Sequence, residues 1–139
     1  MRRIELDGRV VERGGQQFVS GRGAKADAWT EIHRIEPHGF ASSPIKGGQG
    51  LLLPMPGNPD MAYVLGGENP GHRPAGLPAG GTALYDSHGN IISLVGSKVR
   101  FVAPLFEFVG KVSIDGSIEM TGGITAAGSI VDGDGNNGA

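Results

Sequence analysis

The sequence predicts an all-β protein, and three observations lead to that prediction. The 139 residues include 26 glycines and 9 prolines, and no long stretch shows a helical period without one of them. Short apolar runs bounded by turn-forming residues recur through the N-terminal part, as expected of strands. From Phe106 to Ile130 every second residue is apolar or glycine, which is the period of a strand with two different faces.

Residues 1–65 predict a small barrel of four or five short strands. The strand-like stretches are residues 4–11, 17–19, 28–35, 50–55 and 60–65. Gly8 interrupts the first of them, and Gly14-Gly15 supplies a turn before the second. The run Leu51–Leu53 is typical of a strand buried on both faces, and the turn at residues 56–59 predicts that this strand forms a hairpin with the next.

Residues 66–81 predict a linker, because they hold six glycines together with Pro70, Pro74 and Pro78 and show no strand pattern. A second region follows at residues 82–131. It opens with the strongest hairpin of the chain, in which residues 87–90 join two β-rich runs at 82–86 and 91–95. A short strand at residues 99–103 then leads through Pro104 into the alternating segment.

The alternating segment predicts an interface with other copies of the chain. Its glycines recur at every sixth position, at Gly110, Gly116, Gly122 and Gly128. Its predicted trimer core consists of Phe106, Phe108, Val112, Ile114, Ile118, Met120, Ile124 and Ile130. A single ribbon cannot bury its own apolar face, whereas ordering it costs on the order of 1.5 kcal/mol per residue. Three chains wound about one axis turn every apolar row inward and leave no free strand edge.

Two other architectures fit parts of this pattern. A left-handed β-helix within one chain, as in hexapeptide-repeat acyltransferases, needs about 18 residues per turn, so the segment is too short for a stable solenoid. Those enzymes also use a histidine, and the segment has none. A carbohydrate-binding fibre tip would expose clustered aromatic rings, but no aromatic residue follows Phe108.

Composition excludes several kinds of chemistry. The chain has no cysteine, which excludes disulfides, zinc–thiolate sites and a thiol nucleophile. Its 12 basic and 14 acidic residues give a net charge of −2, so no nucleic-acid partner is predicted. Residues 1–20 lack a signal-peptide core, and no stretch is apolar enough for a membrane-spanning helix.

No candidate catalytic or cofactor site emerges from the polar residues. The four histidines, His33, His38, His72 and His88, have no metal-ligand spacing. The sequence Asp132-x-Asp134-x-Asn136 has the spacing of a calcium loop, but Asn137 stands where glycine is required and no glutamate closes the loop. Residues 132–139 are therefore predicted to form an acidic, glycine-rich tail near the apex of the trimeric assembly. The protein is predicted not to be an enzyme.

Three motifs carry a resemblance to a known family. They are the run Glu36–Gly50 (EPHGFASSPIKGGQG), the pair Arg73-Pro74, and Gly81–Asp86 followed by Gly89-Asn90-x-Ile92. In this order, ahead of a Val/Ile/Gly hexad tail, they resemble the baseplate puncturing spikes of phage Mu and related contractile-tail phages. The resemblance covers about residues 30–131.

The resemblance implies an oligosaccharide/oligonucleotide-binding-like (OB-like) barrel, acting as a structural adaptor, followed by a homotrimeric β-helical spike. It implies assembly in the host cytoplasm, a location in the virion tail baseplate, contacts with hub and tail-tube proteins, and piercing of the host outer membrane when the sheath contracts. Family members often end in a His-x-His apex that binds iron, but the last histidine here is His88. No metal ligand is therefore transferred, and the apex is expected to be built differently, to be capped by another protein, or to be missing from a truncated sequence.

Overall fold

A computed structural model describes residues 2–24, 27–131 and 133. Throughout this part the regular secondary structure is β, and no α-helix occurs in it. Nor does this part contain any helix with the length and apolarity needed to cross a membrane. The chain divides into two compact units, Met1–Pro104 and Leu105–Ala139.

The described residues of the first unit form eight strands. They are β1 (Arg2–Arg13), β2 (Gln16–Arg22), β3 (Ala28–Ile35), β4 (Gln49–Met55), β5 (Asn58–Glu68), β6 (Thr82–Tyr85), β7 (Ile91–Val95) and β8 (Lys98–Val102). The first five form a closed barrel in the order β1-β2-β3-β5-β4, and the last three form a separate sheet. The barrel prediction is confirmed, and β5 continues to Glu68, into the segment that the sequence suggests is a linker.

Closure of the barrel depends on one parallel pairing. β3 pairs with β5 in parallel at residues 33–35 and 63–65, whereas β1–β2, β2–β3, β1–β4 and β4–β5 are antiparallel. A closed barrel leaves no strand with unpaired backbone groups along its edge. The barrel region is therefore protected from edge-to-edge association.

Glycines set the shape of the β1–β2 hairpin. Gly14 and Gly15 have φ angles of 60° and 72°, which is the pair of positive values that a two-residue type I′ turn requires. Gly8, at φ 88°, lies where the register shifts between Leu6 and Val10. The predicted glycine interruption of the first strand is thus confirmed as a β-bulge.

The core of the barrel collects alternate residues from all five strands. It consists of Ile4, Leu6, Val19, Ile32, Leu52, Ala62 and Val64. Ile4, Leu52 and Val64 are each 0% exposed, so the single chain encloses them completely. Val10 and Trp29 pack against this cluster from its margin.

A bulge in β3 changes which residues face the core. Between the pairs Val19–Ile32 and Gly21–Trp29, β2 advances by two positions and β3 by three, so β3 carries one extra residue. Glu31 takes up the extra residue with a φ of 51°, an unusual value for a side chain other than glycine. Trp29 and Ile32 therefore both reach the core, which the strict alternation read from the sequence does not predict.

A buried arginine fastens the loop after β3 to the barrel. The Arg34 side chain is 7% exposed, and its Nη1 lies 2.9 Å from Glu36 Oε1. It donates hydrogen bonds to the Gly66 carbonyl at 2.6 Å, to Gln17 Oε1 at 2.8 Å and to both the hydroxyl and the carbonyl of Ser42. The guanidinium is therefore paired and bonded on all sides, as a buried charge must be.

The outer face of β4 differs from the prediction. Leu52 is fully buried, but Leu51 and Leu53 are only partly covered on the outside of the barrel. Burial on both faces is therefore wrong for the single chain, because no second layer covers the outer side of β4.

Strands β6, β7 and β8 form an antiparallel meander in that order. The β6–β7 turn is fixed by Asp86, whose carboxylate accepts hydrogen bonds from the backbone N–H groups of His88 and Asn90 at 2.8 and 3.0 Å. The Asn90 side chain also donates to Asp86 at 2.7 Å, and Gly89 supplies a φ of 91°. These bonds hold the pKa of Asp86 below its ordinary value, chiefly through the Asn90 side chain. The predicted hairpin is confirmed.

Candidate assembly surface

One face of the β6–β8 sheet is apolar and open to solvent. Cross-strand pairing places Leu84, Ile92 and Phe101 in one row, and Leu94 and Val99 in the next. Phe101 and Val99 are 57% and 56% exposed. A three-stranded sheet normally gains independent stability by packing such a face against another layer. This chain supplies no such layer among its described residues.

The segment Leu105–Val131 bends at regular intervals. Bends occur at residue 110, at 115–116, at 121–122 and at 127–128, and no strand is formed between residues 105 and 130. The bends therefore follow the six-residue spacing of the glycines.

All eight residues of the predicted trimer core are exposed in the single chain. The exposed fraction runs from 48% at Phe106 to 76% at Phe108, and Ile118 and Ile124 both stand at 62%. No fold of the described part of one chain covers this row. That the row is buried between three copies stays a prediction.

The four spacing glycines fall into two groups. Gly110 and Gly116 have φ angles of 129° and 148°, so their backbone conformation alone favours glycine. Gly122 and Gly128 do not share this property, and a Cβ placed at either would meet nothing within 4 Å. Nothing within the single chain therefore requires glycine at these two positions.

Two apolar surfaces are therefore left uncovered among the described residues, namely one face of the β6–β8 sheet and the alternating row of the segment. Uncovered apolar surfaces of this extent are typical of sites that contact another protein.

No group of three or more His, Cys, Asp or Glu side chains within residues 2–24, 27–131 and 133 is arranged to hold a metal ion. His88 lies 3.8 Å from Asp86 in an exposed turn, and His33 stacks between Phe18 and Tyr63. The calcium-like residues Asp132, Asp134 and Asn136 lie outside the described residues, as does the rest of the predicted tail apart from Gly133.

Sequence reasoning did not single out the apolar face of the β6–β8 sheet. Its signal is present in the strand alternation, since Leu84 pairs with Ile92 and Leu94 pairs with Val99. The face becomes visible only when β8 is placed beside β7. That pairing decides which of the alternate residues of each strand share a side.

The N-terminal half of the chain matches a known family. Residues 8–71 match the family model described as Bacteriophage Mu Gp45, N-terminal. No curated protein matches the sequence. The matched residues span the barrel from β1 to just beyond β5.

This match supports the assignment of the chain to a Mu-like phage baseplate protein family. With the closed five-stranded barrel it supports a structural role in a phage baseplate, a location in the virion tail and contacts with other tail proteins. The match ends before β6, so it concerns the barrel and does not extend to the segment Leu105–Val131.

Proposed function

We propose that this chain forms a homotrimeric central spike of a contractile phage tail or phage-like particle, which pierces the host outer membrane when the sheath contracts. Residues 82–131 form the shaft of the spike, and the barrel joins it to the hub and tube proteins. The predicted core from Phe106 to Ile130 lines the shaft interior, with the four spacing glycines at its bends.

One observation supports this proposal more directly than any other. A row of large apolar side chains runs beside glycines that recur every six residues, and the single chain leaves the whole row exposed. Gly122 and Gly128 have no reason to be glycine within one chain. Close approach of neighbouring chains at the bends supplies that reason, because it leaves no room for a side chain.

The proposed mechanism is mechanical and not enzymatic. Sheath contraction supplies the work, and the shaft transmits it along its length without buckling. Pairing of all strands between chains gives the shaft its stiffness and removes free edges. The chain itself supplies no cofactor site in this proposal, and the apex is completed by the C-terminal tail or by a capping protein.

The decisive experiment measures the mass of the purified full chain by light scattering at micromolar concentration. Three times the chain mass supports the shaft, and a well-folded single chain contradicts it. The acyltransferase-like alternative is tested separately, because it predicts turnover of acyl-coenzyme A by the purified chain, whereas the proposed spike predicts none.

Piercing is tested on whole particles. Tails assembled with the wild-type chain are mixed with host cells and a dye that an intact outer membrane excludes, and contraction is then triggered. We expect dye entry with the wild-type chain and none with particles whose spike does not trimerise. Entry that persists without a trimeric spike assigns the piercing step to another component.

A further inference from the structure

The outer wall of the barrel carries a second apolar surface, on the face opposite the core. It consists of two cross-strand rows on β4, β5, β3 and β2. We name it the barrel wall patch and define it by Leu53, Tyr63, His33 and Phe18 in the first row and Leu51, Leu65 and Ile35 in the second. Ile35 and Leu65 are 43% and 38% exposed, and the other five are partly exposed.

The patch is an ordered surface. The ring centroids of Phe18 and His33 lie 5.4 Å apart, and those of His33 and Tyr63 lie 5.7 Å apart. The Arg13 guanidinium stacks 3.9 Å above the Phe18 ring and also pairs with Glu31, which fixes one margin of the patch. Rings that already contact one another on paired strands lose little conformational freedom when they are covered.

The size of the patch discriminates between possible occupants. Four strands about 4.8 Å apart, bearing two rows about 7 Å apart, present an area on the order of 300 Å². A separate protein that binds stably buries about 800 Å² on each side. The patch is therefore too small to recruit a free partner unaided, but it suffices for barrels that are already tethered together, because tethering raises their effective concentration.

The sequence of β4 favours the same occupant. Leu51, Leu52 and Leu53 form an apolar run of the kind that is covered on both faces, and the single chain covers only the Leu52 side. We propose that the barrel wall patches of three copies pack against one another, so that the barrels form a trimer contact of their own. This inference rests on the proposed function, because the shaft provides the tether.

The absence of native cysteine makes a direct test possible. Leu65→Cys places one thiol at the centre of the patch, and pyrene–maleimide attached there reports close approach of copies by excimer emission. The matched control is Glu5→Cys, an exposed position on β1, which contributes no residue to the patch. We expect several-fold stronger excimer emission at position 65 than at position 5, and light scattering of both labelled proteins checks that the trimer persists.

A second measurement guards against a label that disturbs the wall. The reaction rate of the unlabelled Leu65→Cys thiol with a small maleimide is compared in the native assembly and in urea, and protection of at least tenfold is expected in the native assembly of the purified chain. A trimer by light scattering with neither excimer emission nor thiol protection at position 65 overturns this inference and leaves the proposed function standing. A single chain by light scattering overturns both.

Discussion

The barrel and the segment Leu105–Val131 use apolar residues in opposite ways. In the barrel, alternate strand residues such as Ile4, Leu52 and Val64 are enclosed completely by the same chain. In the segment, alternate residues such as Ile118 and Ile124 face solvent. The two regions share a strand-like period of two, so the period alone does not determine whether a residue is buried.

The difference lies in how the chain returns on itself. The β1–β2 and β4–β5 hairpins bring apolar faces of one chain together, and the β3–β5 pairing closes them into a barrel. The segment forms no strand between residues 105 and 130, so it contains no hairpin there. In the proposed trimer other copies cover its apolar row, and the stability of this region then depends on assembly.

The largest predicted effect concerns the proposed shaft. Ile118→Asp places three carboxylates around one axis, and each uncompensated buried charge costs several kcal/mol. We expect light scattering to show complete loss of the trimer. Ser117→Asp is the matched control, since it adds the same charge one residue away on the opposite face and is expected to leave the trimer intact. Equal behaviour of the two variants contradicts the assignment of faces.

A core substitution in the barrel tests whether this region is stable without association. Leu52→Ala removes a side chain that is fully buried within one chain, and we expect a loss of about 2–5 kcal/mol in unfolding free energy. Urea unfolding, followed by a spectroscopic signal from the barrel, should show the same loss of unfolding free energy at low and at high protein concentration. Ile118→Ala should instead produce a loss that grows on dilution, because association contributes to its stability.

The buried arginine gives the next effect. Arg34→Ala leaves the Glu36 carboxylate and the Gly66 carbonyl without their partner, and we expect a cost of about 3 kcal/mol to the barrel. Arg2→Ala is the control, since its pair with Asp27 is about half exposed and should contribute less than about 1 kcal/mol. Thermal unfolding of both variants beside the wild-type chain measures the difference.

The glycines of the segment sharpen the comparison further. Gly122→Val meets nothing within 4 Å in the single chain, so the barrel transition should not change. In the trimer the added side chain crowds the neighbouring copies, and overpacking of this kind costs about 1–3 kcal/mol. We expect weaker trimerisation in sedimentation measurements. Unchanged association shows that position 122 faces open solvent in the assembly as well.

The smallest effect is a pH dependence within the barrel. The Arg9 side chain bonds to Asp7 at 2.9 and 2.7 Å and holds the pKa of that carboxyl below its ordinary value. Because the pKa of Asp7 is lower in the folded state, its ionised carboxylate stabilises the fold at pH values above the unfolded-state pKa of about 4. This stabilisation is lost as the pH falls through the folded-state pKa. Acid titration of unfolding free energy should therefore show a slightly shallower decline for Asp7→Asn than for the wild-type chain.

Local chemistry is the part of this fold that the sequence reveals. Gly14-Gly15, the Pro56–Pro59 turn and the Ser87–Asn90 turn each specify a hairpin through residues adjacent in the chain, and all three hairpins are found. The bends of the segment are local in the same way, because each one falls at or beside one of the spacing glycines. In such cases a few neighbouring residues determine the backbone geometry.

Long-range pairing is the part that could not be deduced. The parallel β3–β5 contact joins residues about thirty positions apart, and nothing in either strand specifies the other. The bulge at Glu31 lies in the β2–β3 pairing, and buried Arg34 bonds to Gln17 and Gly66, so both also involve residues distant in the sequence. The exposed outer side of Leu51 and Leu53 was missed for the same reason, since coverage of a face depends on which layers lie nearby.

The regular bends also constrain how the segment can change in length. Removal or duplication of six residues keeps every later side chain on its original side, whereas loss of a single residue transfers the whole remaining row to the other side. Viable insertions and deletions between Phe106 and Ile130 are therefore expected in whole repeats. The length of the segment is therefore expected to change in fixed increments of one six-residue repeat.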